Sequence, residues 1–312
     1  MPGLARVTLA WLRQGPDWVD MARKESPATV HPRELEPLAV PLIDTHCHLS
    51  NGRFDADRED VIAALPSCGL AAVMCIATSL EDAVAVRALV ARHPQLIFWS
   101  VGLDPFSCCD AGADFPAALA GLRTLLDETM ATAQAPRALG EIGLEYFHTL
   151  NAKPVQAEQL ALQLDLAAEF SLPVVIHCRD AFDDLYVILR DHPRNQGIIH
   201  SFIGPPEHAR AWLDLGWHLS FNGTVTYPAN QFLRDAAALV PADRLLIETD
   251  APYLPPVPWR GRRCEPALVR YTVECLAEVR GERPDDIAAW TTRNACKLLN
   301  IPLPWSDPEF ST

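Results

Sequence analysis

From Leu42 onward, short runs rich in Val, Ile and Leu alternate with longer segments whose apolar residues recur at three- and four-residue spacing. The short runs fit strands buried on both faces, and the longer segments fit helices laid over them. Eight runs are legible: Leu42–Leu49, Ala71–Thr78, Leu96–Leu103, Arg137–Leu144, Pro173–Arg179, Gly197–Ile203, His218–Gly223 and Leu245–Pro252. Helical spacing marks Leu80–Arg92, Phe115–Thr132, Pro154–Phe170 and Ala181–Asp191, and two terminal helices are expected over Glu265–Arg280 and Pro284–Leu299. Pro154 suits a first helical turn, where the missing N–H needs no partner. Eight βα units over about 250 residues have the count and size of a closed barrel. The expected fold class is therefore α/β, a (β/α)8 TIM barrel. An open doubly wound sheet shares this alternation, because periodicity does not reveal closure. No Gly-rich phosphate loop follows the first run, which weakens that alternative.

Residues 1–40 show no sustained period and read as a loosely ordered N-terminal extension. A hydrolase domain is expected over 41–303, with a C-terminal tail at 304–312. The 312 residues are 49% hydrophobic and 21% charged, ordinary for a globular chain with a large core. No apolar run approaches the roughly 18–20 residues of a membrane span, so no membrane partner is expected. The nine cysteines form no CxxC pair; reduced thiols and a cytoplasmic location follow more readily than a disulfide framework. Arg13 interrupts the apolar stretch Leu9–Leu12, which argues against a secretory signal. The acid-free first sixteen residues still permit a mitochondrial presequence. The net charge of −14 repels a polyanion at long range and speaks against a protein that coats nucleic acid. It leaves room for an enzyme that gathers one phosphate through metal ions and a few arginines.

Chemistry-bearing residues gather where the runs end. The first run closes on Asp44-Thr45-His46-Cys47-His48, and in a strand His46 and His48 share one face while Cys47 takes the other. The fourth closes on Gly140-Glu141-Ile142-Gly143, the fifth on Ile176-His177-Cys178-Arg179, the sixth on Ile199-His200-Ser201-Phe202, and the eighth on Glu248-Thr249-Asp250-Ala251. One histidine after a strand is ordinarily a structural residue. Four histidines and two acids at equivalent strand ends are a metal site, placed at the C-terminal face where the active sites of this fold lie. Six donors exceed the three protein ligands of a single catalytic zinc and suit two divalent ions, with Glu141 on the middle strand as the natural bridge. Magnesium, zinc and manganese all remain compatible with this donor set. Asp44 reads as a structural residue beneath the site.

These segments, with Tyr253 after Ala251-Pro252 and with Arg260-Gly261-Arg262-Arg263 followed by Glu265-Pro266, resemble the TatD family of metal-dependent deoxyribonucleases over roughly residues 42–300. The resemblance implies an amidohydrolase-type barrel that cleaves phosphodiester bonds in nucleic acid, DNA foremost, with no obligate protein partner. It implies that His46, His48, Glu141 and Asp250 hold one metal, that Glu141, His177 and His200 hold the other, and that Asp250 takes the proton of the attacking water. Glu145 departs from the family's usual Asp, and Cys264 from its usual Asn, which bears on substrate choice. Arg179, Arg260, Arg262 and Arg263 are expected to contact substrate phosphates, and Tyr253, Trp259, Phe54 and Tyr146 are candidates for stacking on bases. Two rival readings share the motifs: a dinuclear enzyme acting on another ester or an amide, such as a D-aminoacyl-tRNA deacylase, and a scaffold barrel without catalysis. The strand-four lysine that bridges metals in many such amide hydrolases is replaced here by Glu141.

Overall fold

The computed structural model describes residues 31–148, 150–302 and 304. Residues 1–30, most of the expected extension, and most of the expected tail at 304–312 lie outside the described residues. The strands are β1 (Leu42–Cys47), β2 (Leu70–Ala77), β3 (Ile97–Val101), β4 (Ala138–Glu145), β5 (Val174–Arg179), β6 (Gly197–Ile199), β7 (His218–Phe221) and β8 (Leu245–Ile247). They form one sheet in chain order, and every neighbouring pair is parallel. The first and last strands meet through a parallel bridge between Cys47 and Ala251. There His48 N–H donates to Ala251 O at 2.7 Å, and Asp250 N–H donates to His46 O at 2.8 Å. The ring is closed by these bonds, which decides for the TIM barrel and against an open sheet.

The helices are α1 (Arg58–Ala64), α2 (Leu80–Arg92), α3 (Pro105–Ala111), α4 (Phe115–Thr129), α5 (Lys153–Glu169), α6 (Phe182–Asp191), α7 (Pro206–Asp214), α8 (Gln231–Leu239), α9 (Val269–Arg280) and α10 (Pro284–Leu299). Prolines open α3, α4, α5, α7 and α10, where they forfeit no hydrogen bond. Ser79 caps α2 by accepting from Asp82 N–H at 3.1 Å. None of the described helices is long and apolar enough to cross a membrane.

Two hydrophobic cores follow from strand alternation. Outward-facing residues such as Val73, Cys75, Leu139, Ile176 and Ile247 pack under the helices. Inward-facing Ile43, Met74, Ile76, Phe98, Val175, Ile198 and Leu246 fill the barrel, and Ala295, Cys296 and Leu299 of α10 plug its lower end. This filling confines the chemistry to the upper mouth. All nine cysteines are free thiols.

Two strands break the alternation just below the mouth. Asp44 pairs with Val73 but Cys47 pairs with Cys75, so β1 carries one residue more than β2 over this stretch. Gly140 pairs with Val175 and Ile142 with Ile176, which leaves Glu141 as an extra residue on β4. Such bulges re-aim side chains beside active sites. On β1 the bulge turns Cys47 out toward the helices and so leaves His46 and His48 facing inward. On β4 it frees Glu141 from the pairing of its neighbours.

Candidate metal centre

The plain alternation of β5 and β6 points His177 and His200 inward, each one step above an outward Ile176 or Ile199. With the two bulges, four imidazoles and two carboxylates meet at the mouth. Glu141 stands at the centre, its oxygens divided between two groups. Its Oε1 lies 2.7 Å from His177 Nδ1 and 2.9 Å from His200 Nε2, and its Oε2 lies 3.4 Å from His46 Nε2. Asp250 Oδ1 is 3.4 Å from His48 Nε2 and 3.9 Å from His46 Nε2. The donor atoms of His46, His48 and Asp250 lie within 4.8 Å of one another, as do those of His46, Glu141 and His200. All six residues expected from the sequence are thus brought together.

The donor set fits cations. His46 Nε2 and His48 Nε2 face each other at 3.3 Å, and His177 Nδ1 and His200 Nε2 at 3.4 Å. Two facing imidazole nitrogens share at most one proton, whereas a divalent ion accepts a lone pair from each. Burial opposes the charge on Glu141, but His200, His177 and His46 outweigh it and hold the carboxyl well below the usual range. Burial likewise opposes a proton on His177, yet Glu141 and Glu145 raise its pKa to about 9. Burial and the neighbouring His200 lower that of His46. For Asp250, His48 overcomes the effect of burial and keeps the carboxylate ionised.

The surroundings fix these rings. His177 Nε2–H donates to Glu145 Oε2 at 3.2 Å, leaving Nδ1 for the centre. Glu145 is itself held by Phe147 and His148 N–H groups, at 2.7 and 3.0 Å. His200 Nδ1 lies 3.4 Å from Glu248 Oε1, which accepts from Ser201 N–H at 2.7 Å. Beneath the mouth, Asp44 accepts from the N–H groups of His46 at 3.2 Å and Thr249 at 2.9 Å, binding the ends of β1 and β8 together. Carboxylates behind metal-ligating histidines set their tautomer and raise their basicity. Sequence reasoning tied Glu145 to substrate choice, apart from any proposed ligand, whereas it touches His177; Glu248 was given no role. The signal was present, since each is an acid buried in an apolar run two or four residues from a proposed ligand. Two buried glutamines of α5 were missed as well. Gln163 clamps the N–H and C=O of Leu103, and Gln156 those of Glu145, each bond 2.9–3.0 Å.

The four arginines sit differently from one another. Arg179 lies with its guanidinium carbon 4.9 Å from the Phe147 ring centre, Arg260 4.5 Å from that of Tyr227, and Arg262 5.0 Å from that of Trp259. Arg263 grips Asp57 with bonds of 2.7 and 2.8 Å and Glu265 with one of 2.7 Å. Arg33 pairs with the same two acids, so this network joins residues before the barrel to the loops after β1 and β8. Arg263 is committed there, and its donors do not point to the centre as free phosphate ligands. Of the candidate stacking aromatics, Phe54 and Trp259 are buried and Tyr146 is half-buried, its hydroxyl donating to Asp184. Tyr253 alone of the four is exposed, its ring 6.1 Å from that of His48.

A closed parallel barrel with a histidine- and carboxylate-lined mouth defines a metal-dependent hydrolase of amidohydrolase-like fold. The family model for the TatD related DNases matches residues 43–300. An uncharacterized metal-dependent hydrolase of Escherichia coli K12, YcfH, is 37% identical over 265 residues, covering 83% of this chain and 96% of YcfH. The 3'-5' ssDNA/RNA exonuclease TatD of Rahnella is 32% identical, covering 81% of this chain and 96% of its own. The crystal structure of the TatD homologue YjjV from Escherichia coli superposes with a TM-score of 0.75 at 32% identity, over 84% of this chain and 98% of that one. The chain belongs to the TatD family of metal-dependent hydrolases.

Proposed function

We propose that this protein is a nuclease that hydrolyses phosphodiester bonds in nucleic acid, DNA foremost, with two divalent ions at the mouth. The observation that carries this reading is the division of the Glu141 carboxylate between two groups of donors. His46, His48 and Asp250 would hold one ion, His177 and His200 the other, and Glu141 would bridge them. When bound, such a pair activates a water and neutralises charge on a phosphate. Asp250, kept ionised and 3.4 Å from His48 Nε2, accepts the water's proton. Arg179, Arg260 and Arg262 are the cations left for flanking phosphates once Arg263 is assigned to its acidic partners. Cations gathered at one point also reconcile a nucleic-acid substrate with a net charge of −14. The activity named for the Rahnella relative supports the same substrate class.

End-labelled single-stranded and duplex oligonucleotides, assayed with Mg²⁺, Mn²⁺ and Zn²⁺ supplied separately, test this function. Metal-dependent cleavage is expected, with Asp250→Asn slowed at least about 100-fold while still binding metal. Turnover of amide or carboxylic ester substrates with no cleavage of any oligonucleotide would assign the site to the other hydrolases of this fold. An Asp250→Asn variant as fast as the parent would remove Asp250 from the role of base.

A further inference from the structure

Exposed aromatic rings are few among the described residues, and they are not scattered. Of the four exposed Phe and Tyr side chains, Phe106, Phe147 and Tyr253 follow the upper ends of β3, β4 and β8, whereas Phe232 lies on α8. Phe106 and Phe147 are 41% and 55% exposed. Both make T-shaped contacts with one imidazole. His148 lies 5.3 Å from the Phe106 ring and 5.0 Å from the Phe147 ring, at interplanar angles of 61° and 84°. Edge-to-face contact fixes rings against one another without stacking any of them face to face.

This group is tied directly to the metal centre. The N–H groups of Phe147 and His148 hold Glu145, and Glu145 holds His177. His148 Nδ1 lies 3.3 Å from Glu145 Oε2, and Arg179, two residues beyond His177, sets its guanidinium over one face of the Phe147 ring. Exposed rings next to a guanidinium suit a flat, apolar partner that carries an anion. A base attached to its phosphate has that chemistry. Bases in a duplex are covered on both faces, whereas an unpaired base offers a free face. A chain of net charge −14 also draws little affinity from long-range attraction, and stacking supplies affinity that does not depend on charge.

We propose that Phe106, Phe147 and His148, with Arg179 over one face of Phe147, form a stacking platform for an unpaired base adjoining the phosphodiester at the metal centre. The proposal rests on the nuclease reading and deepens it by assigning specificity for single strands to named residues. Stacking tolerates any base, so the platform selects strand state and not sequence.

Phe147→Ala, Phe106→Ala and Phe147→Tyr are compared with the parent on a labelled single-stranded oligonucleotide and on one made abasic at its terminal positions. The alanine variants should raise KM for the normal strand roughly ten-fold, with kcat within about two-fold. They should not worsen the abasic strand, which the parent itself should bind with a similarly raised KM, and Phe147→Tyr should restore the parental KM. Bound-metal content reports whether a variant keeps its centre. An unchanged KM on the normal strand in both alanine variants overturns the platform, as does an equal loss on normal and abasic strands. Should the parent cleave neither strand, the nuclease reading falls by itself. Anisotropy of the labelled strand then judges the platform separately: binding that is absent, or equal in parent and Phe147→Ala, overturns it.

Discussion

Replacing Glu145 by glutamine keeps the length of the side chain and changes only what one of its two oxygens can do. In the parent, Oε1 accepts from the N–H groups of Phe147 and His148 while Oε2 accepts from His177 Nε2. An amide has a single acceptor oxygen. If that oxygen keeps the two backbone donors, the amide nitrogen faces His177 Nε2 and presents a donor to a donor. The conflict is relieved when the His177 proton moves to Nδ1, the atom 2.7 Å from Glu141 Oε1, and in that tautomer no lone pair is left for a cation. Loss of a carboxylate behind a ligating histidine typically weakens metal binding 10- to 100-fold, or about 1.4–2.7 kcal/mol. Competition with a chromophoric chelator, using Zn²⁺ or Mn²⁺, should show the proposed ion at His177 and His200 weakened by that factor. The ion assigned to His46, His48 and Asp250 should hold within about three-fold. Glu145→Asp restores the charge, and its effect should be smaller. Two ions bound by Glu145→Gln as tightly as by the parent would refute this reasoning, and equal weakening of both with a fallen melting temperature would show a merely structural role.

Three further outcomes are expected. Glu141→Ala removes the only carboxylate among the described residues that touches both groups of donors, so elemental analysis should find fewer than two ions per chain; an undiminished count would exclude the bridge. Gly143 has φ +155, and an added Cβ would fall 2.0 Å from the carbonyl oxygen of His177. Gly143→Ala should therefore displace His177 and reduce both metal content and melting temperature, and normal values for both would contradict the close approach. Asp57 is paired with Arg263 and Arg33, which depress its pKa below the usual carboxylate range. A depressed folded-state pKa adds stability above the unfolded value that is lost as pH falls through the folded one. Asp57→Asn should cost about 0.5–1 kcal/mol near neutrality. Its penalty should shrink between about pH 5 and pH 2, in melts compared with the parent; a constant difference would show that this pairing does not act through the charge of Asp57.

The sequence made the barrel legible because eight apolar runs are a direct imprint of strands buried on both faces. Their upper ends were less clear. The run Leu245–Pro252 includes residues that leave the ladder after Ile247, because apolar character records burial and not backbone pairing, and Asp250 takes φ +59 outside the strand. The terminal helix α10 was read to its first and last residue, marked by Pro284 and by Asn300 in the left-handed conformation. The ninth helix starts later than expected, at Val269, because Pro266–Leu268 form a tighter turn. The six donors were visible as residue types at strand ends. That His46 and His48 share a face was also visible. Which face was not, since strict alternation from the inward Ile43 would have sent both outward, and only the bulge reverses this. Arg263 illustrates a different limit. Its charge is plain in the chain, but its partner Asp57 lies 206 residues away.

The extra residues in β1 and β4 also separate two evolutionary tasks within single strands. Side chains that plug the barrel floor obey one in-out count, and those that line the candidate metal centre obey another that restarts above it. Ile43 or Ala138 can drift to other apolar residues without readdressing His46 or Glu141. Deleting Thr45, the one residue between Asp44 and His46, would remove the bulge, set His46 opposite the inward Met74 and keep both imidazoles facing the mouth by plain alternation.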